Sequence, residues 1–127
     1  MSENPVRDAI QGAIKDHEVI LFMKGTPERP MCGFSARTAA ALESLGAEYA
    51  AVDVLPDPRI RQELSSISNW PTIPQLFVKG ELVGGCDIVT EMYESGELAT
   101  ALGVEQPSEA QAANAVEGAP LQIDNRL

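Results

Sequence analysis

Cys32 is followed at the third position by Ser35, so Cys32-Gly33-Phe34-Ser35 carries one thiol at a spacing where redox motifs often carry two. In a Cys-x-x-Cys pair the second thiol resolves the mixed disulfide formed by the first. A serine hydroxyl cannot do this. The site is therefore suited to a thiolate that binds something, or to one that needs an external thiol. Gly33 opens a segment of helical character, which puts Cys32 at a helix N-terminus. Unpaired N–H groups and the helix dipole favour a thiolate there. Lys24 and Arg29 add positive charge upstream.

Four further places carry residues of a kind that bind ligands. Lys24 closes a short apolar run, and ligands of open α/β sheets gather at the C-terminal ends of strands. Arg61 lies in a short helical segment after two prolines, where it reads either as an exposed helical arginine or as a two-pronged grip on a carboxylate. Ile73-Pro74 precedes a strand, and a bend there presents the backbone N–H and C=O of Ile73 to an extended peptide. Gly84-Gly85-Cys86-Asp87 opens a helix, so its backbone is open to an anion and Asp87 to an ammonium group. Cys86 reads as a small buried residue as readily as a reactive thiol. A ligand satisfying all of these needs a thiol, a carboxylate, a peptide backbone and a zwitterionic amino-acid end. Glutathione has all four.

The elements that must position these residues follow from periodicity and punctuation. Asn4-Pro5 reads as a helix start, followed by Val6, Ala9, Ile10, Ala13 and Ile14 at helical spacing. Val19 to Met23 is a continuous apolar run, as expected of a buried strand. Residues 24–31, with Gly25, Pro27 and Pro30, read as a loop. A helix follows from Gly33 through Ala36, Ala39, Ala40, Leu42 and Leu45, closed by Gly46. Tyr49 to Val54 reads as a strand, Arg59 to Ser66 as a helix, and Gln75 to Val78 as a strand turning at Lys79-Gly80 into Glu81 to Gly84. Helical segments complete the order, with Ile88, Val89, Met92 and Tyr93 inward and Leu98 to Leu102 beyond Gly96. The strand–helix–strand unit implies a parallel pair with a right-handed crossover, and the hairpin adds antiparallel strands. The fold class is α/β, a mixed four-stranded sheet with helices on both faces.

The 127 residues, 44% hydrophobic, suit one small domain. Residues 105–127 change character, with four acids, one base and no aromatic residue, and read as an acidic disordered tail carrying a short alanine-rich helix around 108–116. The domain is thus expected over 1–104. A net charge of -10 argues against a nucleic-acid surface. Five of the nine cations (Lys24, Arg29, Arg37, Arg59 and Arg61) fall in or just after the Cys32 region, which reads as an anion site or as ordinary surface charge. Two cysteines make no disulfide framework, no apolar run is long enough for a membrane span, and the start shows no targeting pattern. The expected location is cytoplasmic.

The stretches Lys24-Gly-Thr-Pro27, Cys32-Gly-Phe-Ser35, Trp70-Pro-Thr-Ile-Pro74 and Gly84-Gly-Cys-Asp87, in this order and spacing, make the chain resemble the monothiol glutaredoxins of the single-domain class over roughly residues 4–104. The resemblance implies a thioredoxin fold with Ile73-Pro74 in cis. It implies glutathione bound by Lys24, Arg61, Ile73, Cys86 and Asp87, and Cys32 as both reactive thiol and ligand of a [2Fe–2S] cluster. Two protomers then supply one Cys32 each and two glutathiones the rest, the four sulfurs such a cluster takes. That reading is a cluster-bridged homodimer delivering its cluster to iron–sulfur acceptor proteins. Two other readings stay open: an oxidoreductase that removes glutathione from protein thiols, and a regulatory adaptor paired with a BolA-type protein. His17, at the far end of the first helix, is expected at the surface. A Cys32–Cys86 disulfide on oxidation would need α-carbons within about 7 Å.

Overall fold

Asn4 accepts the Arg7 N–H at 3.0 Å and Pro5 takes the first helical position, so α1 (Pro5–Asp16) starts where its sequence directs. The computed structural model describes residues 4–104; the expected tail over 105–127 and its short helix lie outside the described residues. After α1 come β1 (Val19–Met23), the two-residue strands β2 (Gly25–Thr26) and β3 (Arg29–Pro30), α2 (Gly33–Ser44), β4 (Ala50–Asp53) and α3 (Pro58–Ser68). The chain continues through β5 (Gln75–Val78), β6 (Glu81–Gly84), α4 (Cys86–Ser95) and α5 (Glu97–Leu102).

The main sheet has the order β4-β1-β5-β6. β1 pairs parallel with β4, with α2 as the crossover, and antiparallel with β5. β5 and β6 form a hairpin whose turn residues, Lys79 and Gly80, both have positive φ, as its tight reversal requires. Because side chains alternate along a strand, β1 feeds two layers. Val19, Leu21 and Met23 pack with Leu76 and Val78 against Leu42, Val89 and Leu98 of the α2, α4 and α5 side. Ile20 and Phe22 pack with Phe77 against Ile10 and Ile14 of α1 and Leu64 of α3. Burial on both faces explains why β1 reads as an unbroken apolar run. No helix among the described residues is long and apolar enough to cross a membrane.

The structure differs from the sequence reading in several places. Residues 24–31 are not a plain loop: β2 and β3 form an antiparallel ribbon closed by Met31 N–H donating to the Lys24 carbonyl at 2.8 Å. Gly25 has φ +90°, and a Cβ there would collide with the Arg29 carbonyl oxygen and the Met31 side chain. Strands of two residues carry no readable periodicity. On α2, Thr38, Ala39, Ala41 and Leu42 are buried and Ala40 is exposed. Thr38 is accommodated because its hydroxyl donates to the Phe34 carbonyl at 2.9 Å. α3 begins one residue earlier than expected and ends two later, capped by the Asp57 carboxylate.

Candidate functional site

Cys32 sits beyond the C-terminal end of β1 as the N-cap of α2, with extended backbone angles. Its Sγ accepts the Ser35 N–H at 3.3 Å and lies 3.4 Å from the Ser35 hydroxyl oxygen. Ser35 is fully buried, and its Oγ accepts the Lys24 N–H at 3.0 Å. That bond uses one of the two acceptor positions of the oxygen and leaves its hydrogen free for Cys32. The thiol donates to Oγ when protonated, and the hydroxyl donates to sulfur once it ionises. Partial burial pushes the Cys32 pKa up. The Ser35 hydroxyl, the Ser35 and Phe34 N–H groups and the Lys24 charge together outweigh it, so the thiol ionises below the ordinary cysteine value.

Lys24 is held by its backbone. Its N–H goes to Ser35, its carbonyl to Met31, and the next N–H, of Gly25, to Asp53 Oδ1 at 2.9 Å. The same Asp53 oxygen accepts the Leu55 N–H at 2.9 Å, tying the ends of β1 and β4 together.

Lys24, Phe34, Arg61, Trp70, Ile73, Cys86 and Asp87 line one cavity of about 370 Å³. All five residues expected to contact the ligand are among them, drawn from the residue just after β1, from α3, from the segment before β5 and from α4. Cys32 stands beside this lining rather than in it, next to Phe34. A larger groove of about 770 Å³, lined by His17, Glu18, Tyr49 and Leu102, lies at the opposite end of β1. It contains no cysteine, so size does not select the functional site here; chemistry favours the smaller cavity.

Among the described residues neither Lys24 nor Arg61 has an ion-pair partner, and Asp87 has none; the ion pairs are Arg7–Glu63 and Asp57–Arg59. Two uncompensated cations and one uncompensated carboxylate thus face a single cavity. Gly85 caps α4 without a side-chain bond, leaving the first-turn N–H groups open to an anion. A Cβ on Gly85 would lie 3.2 Å from Trp70 Nε1 and 3.3 Å from the Pro74 carbonyl oxygen. The Ile73 side chain belongs to the α3-side layer, and Ile73 also lines the cavity. The Ile73–Pro74 peptide is cis. Cys86 is buried, with Sγ 3.9 Å from Thr90 Oγ1, and both cysteines are free thiols.

The five cations read as one cluster are dispersed. Lys24 and Arg61 line the cavity, Arg37 lies over the Phe34 ring at 5.9 Å, and Arg29 belongs to the β2–β3 ribbon. Arg59 pairs with Asp57 at 2.7 Å and lines an apolar groove between α1 and α3. Residues two apart on a helix point to different sides, which separates Arg59 from Arg61. His17 is exposed, as expected. The sequence reading missed Asp53 and Gln75 as supports of the site; a lone amide in an otherwise apolar four-residue strand was the only signal for the second.

The glutaredoxin family model matches residues 19–83. A probable monothiol glutaredoxin 2 of Rickettsia felis is 53% identical over 98 residues, spanning 77% of this chain and 94% of that protein. The solution structure of a monomeric truncated mutant of Trypanosoma brucei 1-C-Grx1 superposes with a TM-score of 0.72 at 47% identity, covering 83% of this chain and 98% of that one. A buckwheat glutaredoxin–glutathione complex superposes at 0.69 with 25% identity, covering 77% and 87%. With a thioredoxin-type sheet, one thiol at the N-terminus of α2 and these relatives, the chain belongs to the glutaredoxin family, in its monothiol branch.

Proposed function

We propose that this protein binds glutathione in the 370 Å³ cavity and uses Cys32 with it to carry a [2Fe–2S] cluster to acceptor proteins. The observation that carries the reading is the gathering of Lys24, Arg61, Ile73, Cys86 and Asp87 around one cavity whose charges are uncompensated. Lys24 and Arg61 suit the glycine carboxylate, the Ile73 backbone suits the peptide, and Asp87 suits the ammonium group. The open N–H groups of α4 suit the remaining carboxylate, which leaves the ligand thiol beside Cys32.

The cluster is cargo. The described residues contain no group of three or more His, Cys, Asp or Glu side chains able to hold a metal ion. With Cys86 buried, one chain offers the Cys32 thiol, and a cluster needing four thiolates draws the others from a second copy and two glutathiones. Exposed Met31 and Phe34 beside Cys32 supply apolar surface for that second copy, or for a BolA-type protein in its place. Few protein bonds then hold the cargo, and thiolates of an acceptor protein replace them. The proposed setting is the cytoplasm, where glutathione is abundant and thiols stay reduced.

The lowered pKa of Cys32 favours a second activity at the same site. The Cys32 thiolate attacks the glutathione sulfur of a protein–glutathione mixed disulfide, releasing the protein thiolate. A second glutathione thiolate then attacks the sulfur of the bound glutathione, forming glutathione disulfide and regenerating Cys32.

Anaerobic reconstitution with iron, sulfide and glutathione tests the carrier reading. The expected result is a glutathione-dependent chromophore with about two irons per dimer, and Lys24→Glu weakens both glutathione and cluster binding. A colourless monomer that turns over glutathionylated substrates would replace the carrier reading with the enzymatic one.

A further inference from the structure

Gln75 is the one polar side chain among the four buried residues of β5. Its pairing with Phe22 places it on the sheet face shared by Phe77 and Ile20 and covered by Leu64, an otherwise apolar layer. Burying a primary amide is unfavourable unless its groups are hydrogen-bonded. Here the compensation is one-sided. Nε2 donates to the Trp70 carbonyl at 2.9 Å and to the Thr72 carbonyl at 3.0 Å, while Oε1 is buried without a partner among the described residues. The opposite amide orientation would set Oε1 against two carbonyl oxygens, so the geometry itself selects the donor end. Both N–H bonds are spent on the short segment that carries Ile73, and Trp70, Thr72, Ile73 and Pro74 all line the cavity.

We propose that Gln75 is a positioning residue for glutathione: its amide clasps the Trp70 and Thr72 carbonyls and so holds the Ile73 backbone in the orientation that pairs with the ligand. The inference rests on the glutathione reading above. It does not require Gln75 to touch the ligand.

The test is Gln75→Glu, with Gln75→Leu alongside, read by calorimetric titration with reduced glutathione at pH 5 and pH 8. Circular dichroism establishes that each variant is folded. A carboxyl buried against two carbonyl oxygens has its pKa raised well above the ordinary value of about 4.3. At pH 5 it is protonated and gives one donor back to the clasp; at pH 8 it ionises and repels both carbonyls. Relative to the unsubstituted protein at each pH, Gln75→Glu should bind about threefold more weakly at pH 5 and at least tenfold more weakly at pH 8, a loss of about one pH unit's worth of binding free energy. Gln75→Leu should be weakened equally at both. Gln75→Glu following the unsubstituted protein at both pH values, or losing affinity equally at both, overturns the clasp. If the unsubstituted protein itself does not bind glutathione, the ligand reading fails instead. The clasp is then judged by backbone NMR shifts of residues 70–73 in Gln75→Glu: movement in step with titration of the introduced carboxyl supports it, and invariance overturns it.

Discussion

Replacing Ser35 by alanine removes the hydroxyl 3.4 Å from Cys32 Sγ and leaves the Ser35 N–H bond, the Lys24 charge and the helix N-terminus in place. A hydrogen bond to a charged group contributes about 1.5–3 kcal/mol. The diffuse charge on sulfur puts this one at the lower end, about 1.5 kcal/mol, equivalent to a rise of about one pH unit in the Cys32 pKa. The effect on reactivity changes sign with pH. Below both pKa values the thiolate fraction falls about tenfold, while a Brønsted coefficient of about 0.4–0.5 makes each thiolate about threefold more nucleophilic. Alkylation by iodoacetamide should therefore be about threefold slower on that low-pH limb. Above both pKa values only the nucleophilicity remains, and the variant should be about threefold faster. Stopped-flow alkylation across pH 5 to 10, with thiolate absorbance as an independent titration, reads both limbs. A pKa unchanged within about 0.3, or a variant slower at every pH, would refute the assignment of the Ser35 hydroxyl as thiolate donor. The same substitution deprives the Lys24 N–H of its acceptor, so urea unfolding should show a loss of about 1–3 kcal/mol.

Three further outcomes follow from the geometry. Asp53→Ala strips the acceptor shared by the Gly25 and Leu55 N–H groups and should cost about 2 kcal/mol in urea unfolding. Asp53→Asn keeps an acceptor oxygen and should recover most of it; an equal loss would mean that charge, not hydrogen bonding, is the contribution. Gly85→Ala brings a methyl group to 3.2 Å from Trp70 Nε1 and should weaken glutathione binding about tenfold without unfolding the protein; unchanged affinity would show that the indole yields. Leu64→Ala empties a fully buried position between α3 and the sheet and should cost about 2–5 kcal/mol, with a value under about 1 kcal/mol indicating a collapsible site.

Much of the fold was legible because its signals are local. Asn4-Pro5 starts α1, the run Val19 to Met23 is a doubly covered strand, Gly46 follows the C-cap of α2 with positive φ, and Lys79-Gly80 makes the hairpin turn. Illegible features depended on partners far along the chain. The burial of Thr38 was not legible, because helical spacing alone did not say which side of α2 meets the sheet, nor that the Phe34 carbonyl would satisfy a buried hydroxyl. The β2–β3 ribbon is too short to leave a periodic trace, and its anchor, Asp53, lies 28 residues from Gly25.

By itself the sequence determined that one thiol stands at a helix N-terminus without a resolving partner, because residue type and spacing alone decide that. It also singled out Lys24, Arg61, Ile73, Cys86 and Asp87 as candidates for one ligand. Tertiary structure decided which of them meet. Parallel pairing of β1 with β4 and antiparallel pairing of β1 with β5 bring the C-terminal end of β1 together with residues of α3 and α4, which cover opposite faces, at one end of the sheet. There Lys24, Arg61, Ile73, Cys86 and Asp87 share a cavity, while Arg59, two residues from Arg61, is turned away onto Asp57. The ionisation of Cys32 was settled at the same level. Burial opposes the thiolate, and the positions of Ser35, Phe34 and Lys24 around the sulfur let hydrogen bonding and charge prevail over it.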